Sequence, residues 1–222
     1  MIAITNGKVV PVTAPTYEKA TVLVENGKIV AVDPDLSVPQ DAQIIDASGC
    51  WVTPGLIDCH THISNFNEPH TNPGPNLDGN EITDPVTPQV RAIDAINPHD
   101  YAIDKVRNAG FTTVCILPGS ANVVCGTGAV IKLRDAQTAD EMLLPGHEQM
   151  KFAMGENPKR CYGQNGKSPM TRMGVAAVLR QTLFRAKVYS DRLKALPLPC
   201  APLGGYCHRH ARCRGISSGL HH

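Results

Sequence analysis

Val52-Thr53-Pro54-Gly55-Leu56-Ile57-Asp58-Cys59-His60-Thr61-His62 is the stretch whose reading organises the rest of the chain. Pro54-Gly55 breaks the preceding segment. The apolar run Gly55-Leu56-Ile57-Asp58 then predicts a short strand that ends in His60-Thr61-His62. Residues i and i+2 of a strand point to the same side, so the two imidazoles are expected to face one point. Neutral imidazoles on one face suit Zn²⁺, Fe²⁺ or a similar ion. An H-x-H pair alone is a common surface pattern. Its weight comes from its place, at a strand end and ahead of a long polar stretch over residues 64–97.

Downstream, Asn97-Pro98 predicts the N-cap and first position of a helix. Ile103 and Val106 recur at helical spacing, and Gly110 closes the helix. Phe111 to Leu117 is a continuous apolar strand of the kind buried on both faces. Strand, loop, helix, strand predicts a parallel sheet. Gly126-Thr127-Gly128 lacks the Lys-Ser/Thr of a phosphate-binding loop and the dinucleotide-binding spacing, and reads as a strand-to-strand turn. Met150 to Met154 is a third strand, followed by Gly155-Glu156-Asn157-Pro158. Ser168-Pro169 opens a helix with an apolar stripe through Val175, Val178, Leu179, Leu183, Ala186, Tyr189, Leu193 and Leu196.

Upstream, Asn6-Gly7 and Asn26-Gly27 each sit between β-branched apolar runs, the signature of tight hairpins. Residues 1–50 therefore read as a small antiparallel β unit. It is too short to close a barrel and is expected to pack on the remainder.

Composition narrows the class. The chain has 222 residues, 18% of them charged, and a formal net charge of +1. That is no electrostatic footprint for nucleic acid. No apolar run reaches membrane-spanning length, and the start MIAITNGKVV, without a basic n-region or a long apolar h-region, is not expected to act as a signal peptide. The eight Cys are expected as free thiols in a reducing, cytoplasmic setting. The segment 197–222 departs from the rest. It holds Cys200, Cys207, Cys213, His208 and His210 but no Asp or Glu. It reads as a frame-shifted or truncated tail, with an unstructured basic terminus as the alternative. Its Cys and His lack the C-x2-C spacing of a structural zinc site.

The stretch from Val52 to His62 closely resembles the first-strand signature of the metal-dependent amidohydrolases. Within that superfamily, Gly79 to Pro88, Gly155 to Arg160 and Thr171 to Gly174 resemble the imidazolonepropionase-like subgroup. The resemblance spans about residues 1–196. It implies an α/β fold: a partial (β/α)8 TIM barrel, its first three or four strands, with a small N-terminal β-sandwich portion. The implied division is 1–50, 51–196 and the tail 197–222. A full barrel takes about 250 residues.

It also implies a divalent metal at the carboxyl ends of the strands, zinc first with iron or manganese as alternatives. The metal would activate water against a non-peptide C–N bond such as that of a cyclic amide. His60 and His62 are the expected ligands. The family draws further ligands from later strands, typically a Lys or Glu, two more His and an Asp. Glu156, after the third strand, and His208, matching one His of a later strand, are the additional candidates here. The expected partner is a small-molecule substrate, with homo-oligomerisation left open and no nucleic-acid or membrane partner. Little turnover is expected of so short a barrel. A non-catalytic truncated product or a metal-binding or interaction module is the rival reading.

Overall fold

The computed structural model describes residues 1–66 and 78–195. The readings made for His208 and the Cys/His tail lie outside the described residues. Two sheets carry the chain.

The first sheet holds β1 (Ile2–Val9), β2 (Tyr17–Glu25), β3 (Lys28–Asp33), β4 (Gln43–Asp46) and β5 (Trp51–Val52). Their order is β3-β2-β1-β4, with β5 also on β1. Asn26-Gly27 makes the expected hairpin, with both residues at positive φ. Asn6-Gly7 does not turn the chain. β1 runs straight through it, with register shifts on either side of Gly7 and Asn6 at φ 63. The Asn6 amide donates instead to Asp46 Oδ1 at 2.9 Å, on the neighbouring strand. A Cβ on Gly7 would sit 2.6 Å from Val52 Cγ2, so glycine here admits β5. β4 and β5 lie parallel to β1, which makes the sheet mixed rather than antiparallel and extends it to Val52. Val9, Ala20 and Val22 form its apolar cluster, with Ile4, Tyr17, Val24, Val32 and Val52 against them.

The second sheet holds β6 (Leu56–Thr61), β7 (Phe111–Ile116), β8 (Val124–Lys132) and β9 (Gln149–Phe152), in the order β6-β7-β8-β9. β6 and β7 are parallel, joined by the expected helical crossover. β8 is antiparallel to both β7 and β9, so β6, β7 and β9 run one way and β8 the other. This corrects two expectations, an all-parallel sheet and a turn at Gly126-Thr127-Gly128. Those glycines lie within β8, where Gly126 at φ 116 forms a bulge. A Cβ there would meet the Val90 carbonyl oxygen, which leaves no room for another residue.

The helices are α1 (Tyr101–Asn108), α2 (Ala139–Met142), α3 (Glu156–Gly163) and α4 (Arg172–Ala195). α1 starts later than Asn97-Pro98 predicts. The Asn97 amide and carbonyl are both held by the Ser64 hydroxyl, at 2.7 and 2.8 Å. Asp100 caps the helix instead, accepting from the Ala102 amide at 2.7 Å. Val114, Ile116, Ala129 and Ile131 share one face of the second sheet and pack with Ala92, Ile96, Ile103 and Met142. By register, Cys115, Val130, Gly128 and Lys151 with its partner Gly126 share the other face.

The first compact unit is Met1–Val178; the second begins at Leu179 and is described to residue 195 as helix. Along α4 only Val175 is buried among the described residues, and Leu183 and Tyr189 of the expected stripe are exposed. Among the described residues, no helix is long and apolar enough to cross a membrane.

A buried polar junction fixes the loop before β8 to α3. Asn122, 2% exposed, accepts from the Tyr162 hydroxyl at 2.5 Å and donates to Thr87 Oγ1 at 2.7 Å and to the Glu81 carbonyl. Burial raises the Tyr162 phenol above its ordinary range, so it remains a donor. Asn122→Ala orphans the buried Tyr162 hydroxyl and takes from the Thr87 hydroxyl one of its two partners, the Val124 carbonyl remaining. It is expected to destabilise the fold by about 1–3 kcal/mol, read from denaturant unfolding. A loss below about 0.5 kcal/mol, within the range of a surface substitution, would contradict the junction.

Candidate metal centre

His60 lies near the carboxyl end of β6 and His62 just beyond it. Asp58 pairs with Val114 and Thr61 with Ile116, so three residues of β6 span two of β7. That bulge re-aims the strand end. Thr61 shares the packed face of Ile116, and by alternation His60 and His62 point to the opposite face. Their ring centroids stand 5.3 Å apart, nearly perpendicular.

Each ring is held. The Nδ1 of His62 is 2.8 Å from the Leu117 carbonyl oxygen. A carbonyl only accepts, so Nδ1 carries the proton and the Nε2 lone pair is left for a ligand. Phe66 meets the same ring edge to face at 5.6 Å. The backbone amide of His60 donates to Asp58 Oδ1 at 3.0 Å. The Nε2 of His60 is 3.1 Å from Lys151 Nζ. Lys151 is on β9, at the far edge of the sheet from β6. The contact shows how strongly the sheet curls, bringing interior side chains of its two outer strands together.

Burial, then the charges of Lys151 and His62, hold His60 below the ordinary imidazole value, against a smaller opposing pull from Asp58. The ring is therefore neutral near pH 7 and fit to give its lone pair. A proton-resonance titration of the metal-free protein is expected to place the His60 midpoint below 6.5, its unperturbed value. The native state then binds this proton less readily than the unfolded chain. Its stabilising contribution is present above 6.5 and is lost as pH falls through the depressed midpoint. A midpoint at or above 6.5 would contradict the placement beside Lys151.

Of the residues singled out in the sequence, His60 and His62 come together. Glu156 opens α3 and is engaged elsewhere: its carboxylate accepts from Lys159 Nζ at 2.6 Å. That hydrogen bond and charge lower its pKa. Among the described residues, no three His, Cys, Asp or Glu gather as a metal cluster. Lys151 is the group that sequence reasoning passed over. Its signal was available, as the one charged residue in the apolar run Met150 to Met154.

Beyond the strand ends lies a cavity of about 600 Å³. Asn65, Asp78, Asn80, Glu81, Arg91 and Asp94 are among the residues that line it. Asn65 Oδ1 is buried and has no hydrogen-bond partner among the described residues. Arg91 is paired with Asp94.

No family model matches the chain. The amidohydrolase tasK of Hapsidospora irregularis is 39% identical over 182 residues, covering 74% of this chain and 18% of that protein. The dihydroorotase of Syntrophotalea carbinolica is 47% identical over 62 residues, covering 28% of this chain and 14% of that enzyme. A crystal structure of an amidohydrolase from Thermotoga maritima MSB8 superposes with a TM-score of 0.81 at 39% identity, covering 91% of this chain and 53% of that one. The chain thus spans about half the length of the solved relative and less than a fifth of these curated ones.

Proposed function

Because the chain belongs to the amidohydrolase superfamily, we propose that His60 and His62 hold a divalent ion, zinc foremost, in a centre that hydrolyses a non-peptide C–N bond such as that of a cyclic amide. The observation that carries the reading is the Leu117 carbonyl on His62 Nδ1, which fixes the ring with Nε2 presented beside His60. A resident divalent ion would supply a hydroxide near neutral pH and polarise the carbonyl under attack.

The donor set tests whether these residues fit such an ion. Two imidazoles on one face fit it. Lys151 fits only without its proton, since an ammonium has no lone pair and repels a dication. As the free amine, or as the carbamate formed when that amine bonds to dissolved carbon dioxide and releases a proton to water, Lys151 offers a third donor. The resemblance leads one to expect a Lys or Glu in that role. We leave Glu156 to its partner Lys159.

The acceptor-rich cavity beside Asn65 suits a substrate that presents N–H groups, as cyclic amides and ureas do. Within the superfamily we place the chain with the imidazolonepropionase-like members, on the segments Gly79 to Pro88 and Gly155 to Arg160.

The test is hydrolysis of a panel of cyclic amides by protein loaded with Zn²⁺ or Mn²⁺. Slow turnover that disappears in His60→Ala is expected. Turnover that survives both His60→Ala and His62→Ala would overturn the reading. A second reading, a metal-binding module without chemistry, draws on the lack of a third His, Cys, Asp or Glu near the pair among the described residues. It predicts metal retention with no hydrolysis of any panel member.

A further inference from the structure

We propose that Asn80, with Gly79, is a positioning residue for His62, because these two neighbours grip both of the groups that hold its ring. The proposal rests on the metal-centre reading for its function and on contacts of the protein with itself for its geometry. The His62 ring is set by the Leu117 carbonyl oxygen, 2.8 Å from Nδ1, and by Phe66, edge to face at 5.6 Å. Leu117 follows the last residue of β7, and Phe66 also lies outside the strands and helices. A support on irregular backbone orients a ligand only as well as that backbone is itself held.

Gly79-Asn80 supplies that hold on both sides. The Gly119 amide donates to the Gly79 carbonyl at 2.5 Å, and the Ala121 amide donates to Asn80 Oδ1 at 2.9 Å. These two bonds clamp the backbone just after the Leu117 carbonyl. The Asn80 amide group lies directly against Gly119, where a Cβ would sit 2.3 Å from it. Gly79 in turn seats on the Phe66 ring, where a Cβ would sit 2.2 Å from Cζ. Glycine at both positions is what lets the three segments approach. Without the Asn80 bond the Leu117 carbonyl loses its fixed place opposite Nδ1. The neutral ring can then carry its proton on Nε2, and that nitrogen has no lone pair left for an ion. Asn65, Gly79, Asn80 and Pro118 also line the cavity of about 600 Å³, so the residues that set the ring are also walls of the space beside it.

The test is nitrogen NMR of His62 in the metal-free full chain, at a pH where the ring is neutral and its two nitrogens report which one holds the proton. The wild type is expected in the Nδ1–H form. Asn80→Ala is expected to show both tautomers and to bind Zn²⁺ about tenfold more weakly, the low end for loss of a group that orients a ligand. Asn80→Asp keeps an acceptor for the Ala121 amide and is expected to restore the wild-type tautomer. Asp100→Ala removes the cap of α1 and so costs stability away from this site. It is expected to leave the tautomer and the affinity unchanged. In the wild type, the Gly119 and Ala121 amides should exchange slowly with solvent, a readout that needs no variant. The wild-type tautomer or an affinity within about twofold in Asn80→Ala, as for an exposed contact, would overturn the proposal. So would a mixture that persists in Asn80→Asp, the same mixture in Asp100→Ala, or fast exchange of the two amides. Tautomer and exchange are read without metal. Their failure would leave the hydrolase reading standing, and failure of the hydrolysis panel would leave the positioning of the ring standing.

Discussion

Replacing His62 by Ala is expected to lower the affinity for Zn²⁺ by about a hundredfold or more, since loss of a group that merely orients a ligand already costs about 10–100-fold. His62 is the better prepared of the two imidazoles. Its ring is fixed from one side by the Leu117 carbonyl and from another by Phe66, so little ordering remains when an ion arrives. The fold should survive the change. The Leu117 carbonyl keeps a second donor in Asn65 Nδ2 at 3.4 Å, and His62 lies beyond the last residue of β6. Competition with a chromophoric chelator measures the affinity, and circular dichroism checks the fold. An affinity within about twofold of wild type would remove His62 from the site, because a tenfold change is already worth 1.4 kcal/mol.

Lys151→Met is expected to have the second largest effect, and its sign depends on pH. In the wild type, an ion reaching His60 Nε2 must displace an ammonium 3.1 Å away or take the proton from it. Binding therefore releases a proton that the Met variant does not hold, and wild-type affinity should climb more steeply with pH. Near pH 8 the variant, lacking the third donor, should bind about tenfold more weakly. As pH falls, giving up that proton to make room for the ion costs more, so the wild-type advantage should shrink and then reverse in sign. Glu156→Gln serves as the contrast. Its carboxylate is exposed and bonded to Lys159, so affinity should stay within about twofold, as expected for an exposed ion pair. A Lys151→Met curve parallel to wild type at every pH would place Lys151 outside the centre.

Some of this arrangement was legible in the residues alone. The i, i+2 spacing of His60 and His62 announces two rings on one side, and Pro54-Gly55 announces the strand that carries them. The parallel β6–β7 pair was legible too, because the intervening segment is long enough to cross over. Three features were not. Asn6-Gly7 has the chemistry of a hairpin, yet a bulge uses the same positive φ without reversing the chain. The choice was made by Asp46 and Val52, some forty residues away. Gly126-Thr127-Gly128 looks like a turn because glycine is the common signal of both turns and bulges. The deciding contact is the Val90 backbone. Lys151 escaped notice because the curl of the sheet, which brings β9 to β6, follows from tertiary packing and not from any local pattern. The apolar stripe of α4 was readable as a stripe, but periodicity does not say what covers it.

The central claim is that His60 and His62 hold a divalent ion at the open end of this sheet. X-ray absorption at the zinc edge, on protein given one equivalent of Zn²⁺, tests it most directly. Imidazole nitrogens are expected at about 2.0–2.1 Å, with the outer-shell scattering of the rings. That ring signal should fall in His60→Ala and vanish in the double variant with His62→Ala. A spectrum of oxygen neighbours alone, or one that the double variant leaves unchanged, would contradict it.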